Sequence, residues 1–111
     1  MSEFQHIEER ARMVAISDNS GTFDIEAGNT SKRKIVYSLY LKAAAITNVT
    51  IKSGTTAITG AIPFAAGGDL YLESGGAPVL LGIARGEKLE ITNSAPAQLD
   101  GFAVIGEVEH E

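Results

Sequence analysis

Short apolar-polar alternations, each closed within eight to twelve residues by a cluster of turn formers, constrain this chain more than any other feature. Thr22-Phe23-Asp24-Ile25-Glu26 sets Phe23 and Ile25 on one face, and Thr47 to Lys52 sets Val49 and Ile51 inward. Lys88-Leu89-Glu90-Ile91-Thr92 alternates as cleanly. Between such runs stand Ser17-Asp18-Asn19-Ser20-Gly21, Ala27-Gly28-Asn29-Thr30-Ser31, Ser53-Gly54, the glycine pairs 67–68 and 75–76, and Asn93-Ser94-Ala95-Pro96. Asn, Asp and Ser close turns through their own side chains, and Gly supplies positive φ. No helical stripe longer than two turns interrupts the series, and Ala43-Ala44-Ala45-Ile46 is too short to nucleate a helix. About eight short strands at this spacing predict an all-β fold, a sandwich or a barrel.

The longest alternation, Lys34 to Lys42, places Ile35, Tyr37, Leu39 and Leu41 on one face and Val36, Ser38 and Tyr40 on the other. Large side chains on both faces mark a strand that is central or lies against another subunit. Val36, Tyr37, Leu39, Tyr40 and Leu41 are therefore the candidate oligomer interface. In Gln98 to Val108, Phe102 and Val104 share one face and Ala103 and Ile105 the other, with Gly101 a candidate bulge. Ala61 to Gly68 is looser, and Pro63, which lacks an N–H, belongs at an edge. Ala77 to Ala84 is apolar but broken by Pro78 and Gly82. Residues 1–12 are charged and poor in β-branched side chains, an N-terminal arm ahead of a sandwich domain over 13–111.

The chain of 111 residues is long enough for one self-sufficient core. It has no cysteine, which removes disulfides, thiolate metal sites and thiol nucleophiles and suits assembly in a reducing cytoplasm. A net charge of −5 argues against a phosphate-backbone partner. No apolar run approaches the ~20 residues of a membrane helix, and residues 1–10 lack the apolar core of a signal peptide. Neither nucleic acid nor membrane is an expected partner. Charge is uneven: residues 1–54 hold seven Lys/Arg against six Asp/Glu, residues 55–111 two against eight.

Candidate reactive groups are sparse. His6 and His110 lie near opposite ends, where no packing holds a catalytic base or a metal ligand in place. Asp69 and Glu73 bracket one strand and Glu87 and Glu90 another; turn acids beside glycines are the ordinary reading, a loop Ca²⁺ site the sharper one. Gly82 to Gly86 fails the spacing of a phosphate loop. Asn29-Thr30-Ser31 and Asn48-Val49-Thr50 match a glycosylation pattern that has meaning only on a secreted chain. The expectation is no enzyme, no cofactor and no metal. Arg10, Arg12, Lys32, Arg33 and Lys34 are the candidate contacts to an acidic partner, although basic residues at a strand start also deter edge pairing.

Three stretches carry a resemblance: Asn48 to Gly68 (NVTIKSGTTAITGAIPFAAGG), Gly86 to Thr92 (GEKLEIT) and Gln98 to Gly106 (QLDGFAVIG). Together they resemble small β-sandwich virion proteins of tailed bacteriophages, of the capsid decoration or cement type. The likeness covers the C-terminal part of the chain and leaves residues 1–47 unmatched. It implies a jelly-roll-like β-sandwich of about eight short antiparallel strands, and a homotrimeric, non-catalytic protein on the outside of a phage head, with the major capsid protein as partner and the virion surface as location, after assembly in the host cytoplasm. Related sandwiches of fibres and tails imply the alternative, a receptor- or carbohydrate-binding module, with Tyr71, Asp69 and Glu73 as its first candidates.

Overall fold

A computed structural model describes residues 11–28, 33–75, 77–80, 83–84 and 86–108. Nine strands follow in chain order: β1 (Arg12–Asp18), β2 (Thr22–Glu26), β3 (Arg33–Ala43), β4 (Thr47–Ser53), β5 (Thr56–Ala57), β6 (Ile62–Phe64), β7 (Asp69–Glu73), β8 (Leu89–Asn93) and β9 (Leu99–Val108). They form two sheets. The front sheet has the order β1-β9-β3-β7, and the back sheet the order β2-β8-β4-β5, with β6 paired to another stretch of β4. Every strand pairing is antiparallel.

The pairings are nested. β1 meets β9, β2 meets β8, β3 meets β7 and β4 meets β6, as in one long hairpin folded near residues 54–61. Two more pairings, β3 with β9 and β4 with β8, roll that hairpin into a two-layer jelly roll. The expected all-β sandwich is the fold; β5 follows the Ser53-Gly54 turn, and the looser stretch 61–68 yields the short β6. Pro63 sits in β6, which pairs with β4 alone, an edge position that needs no second donor. Ala77 to Ala84 forms no strand among the described residues. Val79 and Leu80 instead hydrogen-bond to Val36, extending the front sheet past the end of β7.

The core fills the space between the layers. β1 contributes Ile16; β3 Val36, Leu39, Leu41 and Ala43; β4 Val49 and Ile51; β8 Leu89 and Ile91; β9 Leu99, Ala103 and Ile105. Phe64 and Ile83 close its ends. Each fully buried Leu or Ile contributes about 1.5–3 kcal/mol. The alternations expected for β2, β4 and β9 are the observed ones.

β3 departs from simple alternation. Val36 pairs with Ile105 of β9, but the next pair is Ser38 with Val104, so Tyr37 is an extra residue. This bulge reverses the parity, turning Val36 to the same side as Leu39 and Leu41. All three are at most 1% exposed, inside the chain's own core. The interface expected from Val36, Leu39 and Leu41 is therefore corrected: β3 is central within one subunit, and these side chains are already consumed. Tyr37 at the bulge and Tyr40 on the outer face remain half-buried.

The expected bulge at Gly101 is also corrected. Gly101 pairs with Ile16 on one side and Leu41 on the other, with no shift of register around it. Its role is close approach, because a Cβ there would stand 1.8 Å from the Tyr40 carbonyl oxygen. The first turn behaves as its residues dictate: Asp18 accepts hydrogen bonds from the Ser20 hydroxyl at 2.5 Å and the Ser20 N–H at 2.7 Å, which holds its carboxyl below the usual aspartate range. Gly21, at φ 95°, completes it.

Gly101→Ala is expected to destabilise the fold by about 1–3 kcal/mol or more, because backbone must move. Gly60→Ala, with no atom within 4 Å of its Cβ, stays within about 0.5 kcal/mol of wild type. Urea denaturation checks the pair, and equal midpoints would contradict the close-approach assignment.

Candidate functional site

The two outer faces differ in chemistry. On the back sheet the cross-strand rows read Thr22-Thr92-Thr50 and Asp24-Glu90-Lys52. Lys88 adds ion pairs to Asp24 at 3.5 Å and Glu90 at 3.9 Å. That face is a hydroxyl and charge surface.

On the front sheet three rows run across four strands: Met13-Val104-Ser38-Glu73, Ala15-Phe102-Tyr40-Tyr71, and Ser17-Asp100-Lys42-Asp69. The middle row is aromatic. Tyr40 and Tyr71 meet edge to face with centroids 6.2 Å apart; Tyr71 and Phe102 do the same at 6.4 Å; Tyr40 and Phe102 lie tilted at 5.8 Å. Such pairs add about 0.5–1.5 kcal/mol beyond their burial. The cluster is nevertheless open to solvent, with Tyr71 60% and Met13 66% exposed.

Polar groups border this row and are held by their own chain. The Tyr40 hydroxyl donates to Asp69 Oδ2 at 3.2 Å. Loss of water, with that bond and the Asp69 charge, holds the Tyr40 phenol above the ordinary tyrosine value. Gln98 Nε2 donates to Asp100 Oδ1 at 2.9 Å and to Ser17 Oγ at 3.1 Å. The Gly75 N–H donates to Glu73 Oε2 at 2.9 Å. Of the suspected trio Tyr71, Asp69 and Glu73, all on β7, the structure keeps Tyr71 and Asp69 beside Tyr40. It adds Phe102, which strand spacing alone does not bring near.

The basic cluster separates. Lys34 is fully buried and is corrected as a partner contact: it has inward parity in β3, and its Nζ donates to the Glu87 carbonyl at 3.3 Å. Loss of water pushes its pKa down, against the upward pull of Glu107 and Glu26, while Arg12 adds to the lowering. Arg12 opens β1 and is paired with Glu26 across the sandwich edge. Arg33 is half-buried at the start of β3. Arg10, Lys32, His6, His110 and the first glycosylation-type triplet lie outside the described residues.

No group of three His, Cys, Asp or Glu is placed to hold a metal ion among the described residues. A shallow groove lined by Ser53, Thr55, Thr56, Ala84 and Glu87 measures about 230 Å³. That is below the ~300 Å³ from which small-molecule sites begin, and its walls lack aromatic rings. The aromatic row is the better candidate.

No family model matches the sequence, and no curated protein matches it. Among solved structures, a chain from work describing Bacillus endospore appendages as "a novel family of disulfide-linked pili" is similar in fold. Its TM-score is 0.54 at 20% identity, covering 91% of this chain and 88% of that one. At that identity the likeness is one of fold.

Lys34 gives a signed pH test. Its proton leaves the folded chain at lower pH than the unfolded chain, whose value is 10.5. In the interval below 10.5 the unfolded state binds more protons, so stability rises with pH there and is flat with respect to this group at lower pH. Wild type is expected to gain stability relative to Lys34→Met as pH climbs toward 10.5, measured by urea denaturation at stepped pH. Parallel curves would contradict burial of the ammonium.

Proposed function

We propose that this chain is a non-catalytic structural protein of an external assembly, acting by surface contact. Its specific form is capsid decoration: a homotrimer seated on the outside of a phage head against the major capsid protein. The observation that carries the reading is a jelly roll that occupies the described chain from β1 to β9 and is shared over nine-tenths of its length with an appendage pilus chain. The resemblance of residues 48–68, 86–92 and 98–106 to virion sandwiches supports the capsid form.

The similar chain belongs to disulfide-linked pili, whereas this chain has no cysteine. Any assembly it enters without a covalent partner is held by packing, hydrogen bonds and charge. Attachment falls to the end of the sandwich where Arg12 and Arg33 lie, with Arg10 and Lys32 adjacent in sequence. The outward acids Asp69, Glu73 and Asp100 of the front sheet then face solvent and keep the particle soluble. A protein that binds an assembled shell and not its separated subunits stabilises the shell by RT ln(1 + [L]/Kd) per site.

Two measurements test this. Light scattering is expected to give roughly 35 kDa, three times the 11.7 kDa subunit. The protein is expected to sediment with emptied phage heads and raise their melting temperature, with Arg33→Glu weakening both. A monomer that stays in the supernatant and leaves the heads unchanged would sink the reading.

A further inference from the structure

We infer that the outer face of the front sheet is a binding surface for a neutral saccharide, with Tyr71, Tyr40 and Phe102 as its floor. The inference goes beyond the structural role and holds whether the assembly is a capsid or an appendage. It rests on the registered aromatic row and its polar borders.

Size and charge select the occupant. The three rows, four strands at about 4.8 Å spacing and five residues at about 3.3 Å rise, project onto roughly 300 Å². A stable protein dimer buries about 800 Å² per partner, so a second copy would have to reach well beyond these rows. It carries Asp69, Asp100 and Glu73 against Lys42, and two copies face to face would oppose like charges. The same excess of carboxylate repels nucleic acid and anionic glycans.

A pyranose ring matches what is left. Its axial C–H bonds carry partial positive charge and settle on the negative π-face of an aromatic ring, while its equatorial hydroxyls point sideways. On this face those hydroxyls meet Asp69, Lys42, Asp100 and Ser17 along one border and Ser38 and Glu73 along the other. Carboxylates accept, the ammonium donates, and serine hydroxyls do both. Three of these acceptors are already oriented: Asp69 by the Tyr40 hydroxyl, Asp100 by Gln98 and Glu73 by the Gly75 N–H. Groups fixed before binding lose little freedom when the ligand arrives, which lowers the cost of association. Tyr71, the most exposed of the three rings and placed on the edge strand, is the contact with most free surface.

The test uses the full chain and a set of neutral hexasaccharides (maltohexaose, cellohexaose and chitohexaose), with hyaluronan hexasaccharide as the anionic control, titrated by NMR. At least one neutral glycan is expected to shift the ring signals of Tyr40, Tyr71 and Phe102 with a Kd on the order of millimolar or tighter. Tyr71→Ala is expected to weaken that Kd about tenfold or more; loss of its two ring pairs lowers the melting temperature, but the variant stays folded at the titration temperature and co-sediments with heads as wild type does. Thr50→Ala on the opposite face leaves the Kd unchanged. Silence toward all three neutral glycans, binding of the anionic glycan alone, or full affinity in Tyr71→Ala would each overturn the proposal. Loss of head binding with intact glycan binding would strike the structural reading alone.

Discussion

One extra residue in the central strand decides which way this molecule faces. β3 pairs with β9 on one side and with β7 on the other, so its parity is transmitted to three of the four strands of the front sheet. With Tyr37 accommodated as a bulge, Val36, Leu39 and Leu41 all point into the core. Ser38, Tyr40 and Lys42 point out, in register with Glu73, Tyr71 and Asp69 on β7 and with Val104, Phe102 and Asp100 on β9. Without the extra residue, either Val36 would be stranded on the surface or Leu39 and Leu41 would be. Each misplacement would forfeit about 1.5–3 kcal/mol of burial per side chain. Gly101 secures the same pairing from the other side, since only a missing side chain lets β9 approach the Tyr40 carbonyl.

The nested pairings explain how a short chain without cysteine closes its core. Each strand of the first half finds a partner in the second, and the contacts are mostly distant in sequence. Such topology leaves few edges and needs no covalent staple. It also divides the surface into unlike faces, a threonine and ion-pair surface behind and an aromatic row in front. On the proposed structural reading that difference matters, because uniform faces give a partner no orientation.

Much of this was legible in the residues. The alternations of β2, β4, β8 and β9 and the turn chemistry around Asp18 and Gly54 identify strands, which residues share a face and the all-β class. The bulge was not legible, because Ile35 and Val36 are both apolar and either fits the core. Lys34 looked like a surface cation because charge usually means exposure. Its inward parity at the end of β3, under the Glu87 carbonyl, overrides that expectation. The apolar run at 77–84, broken by Pro78 and Gly82, forms no strand among the described residues, where Val79 and Leu80 bond with Val36 of β3. At the candidate site, Tyr71 and its flanking acids were visible as a group on one strand. Tyr40 was visible only as an interface candidate and Phe102 only as one face of its strand, since pairing between strands distant in sequence is set by the nested topology and not by local pattern.

Because the native chain has no cysteine, the orientation of β3 is open to direct measurement by single-cysteine labelling. Variants Val36→Cys, Ser38→Cys, Leu39→Cys, Tyr40→Cys and Leu41→Cys are treated with a thiol reagent under native conditions. Positions 38 and 40 are expected to label rapidly, and positions 36, 39 and 41 to stay protected until the protein unfolds. Rapid labelling at 36 together with 38 and 40 would mean that β3 alternates without the bulge, and the aromatic row would lose the register on which its role depends.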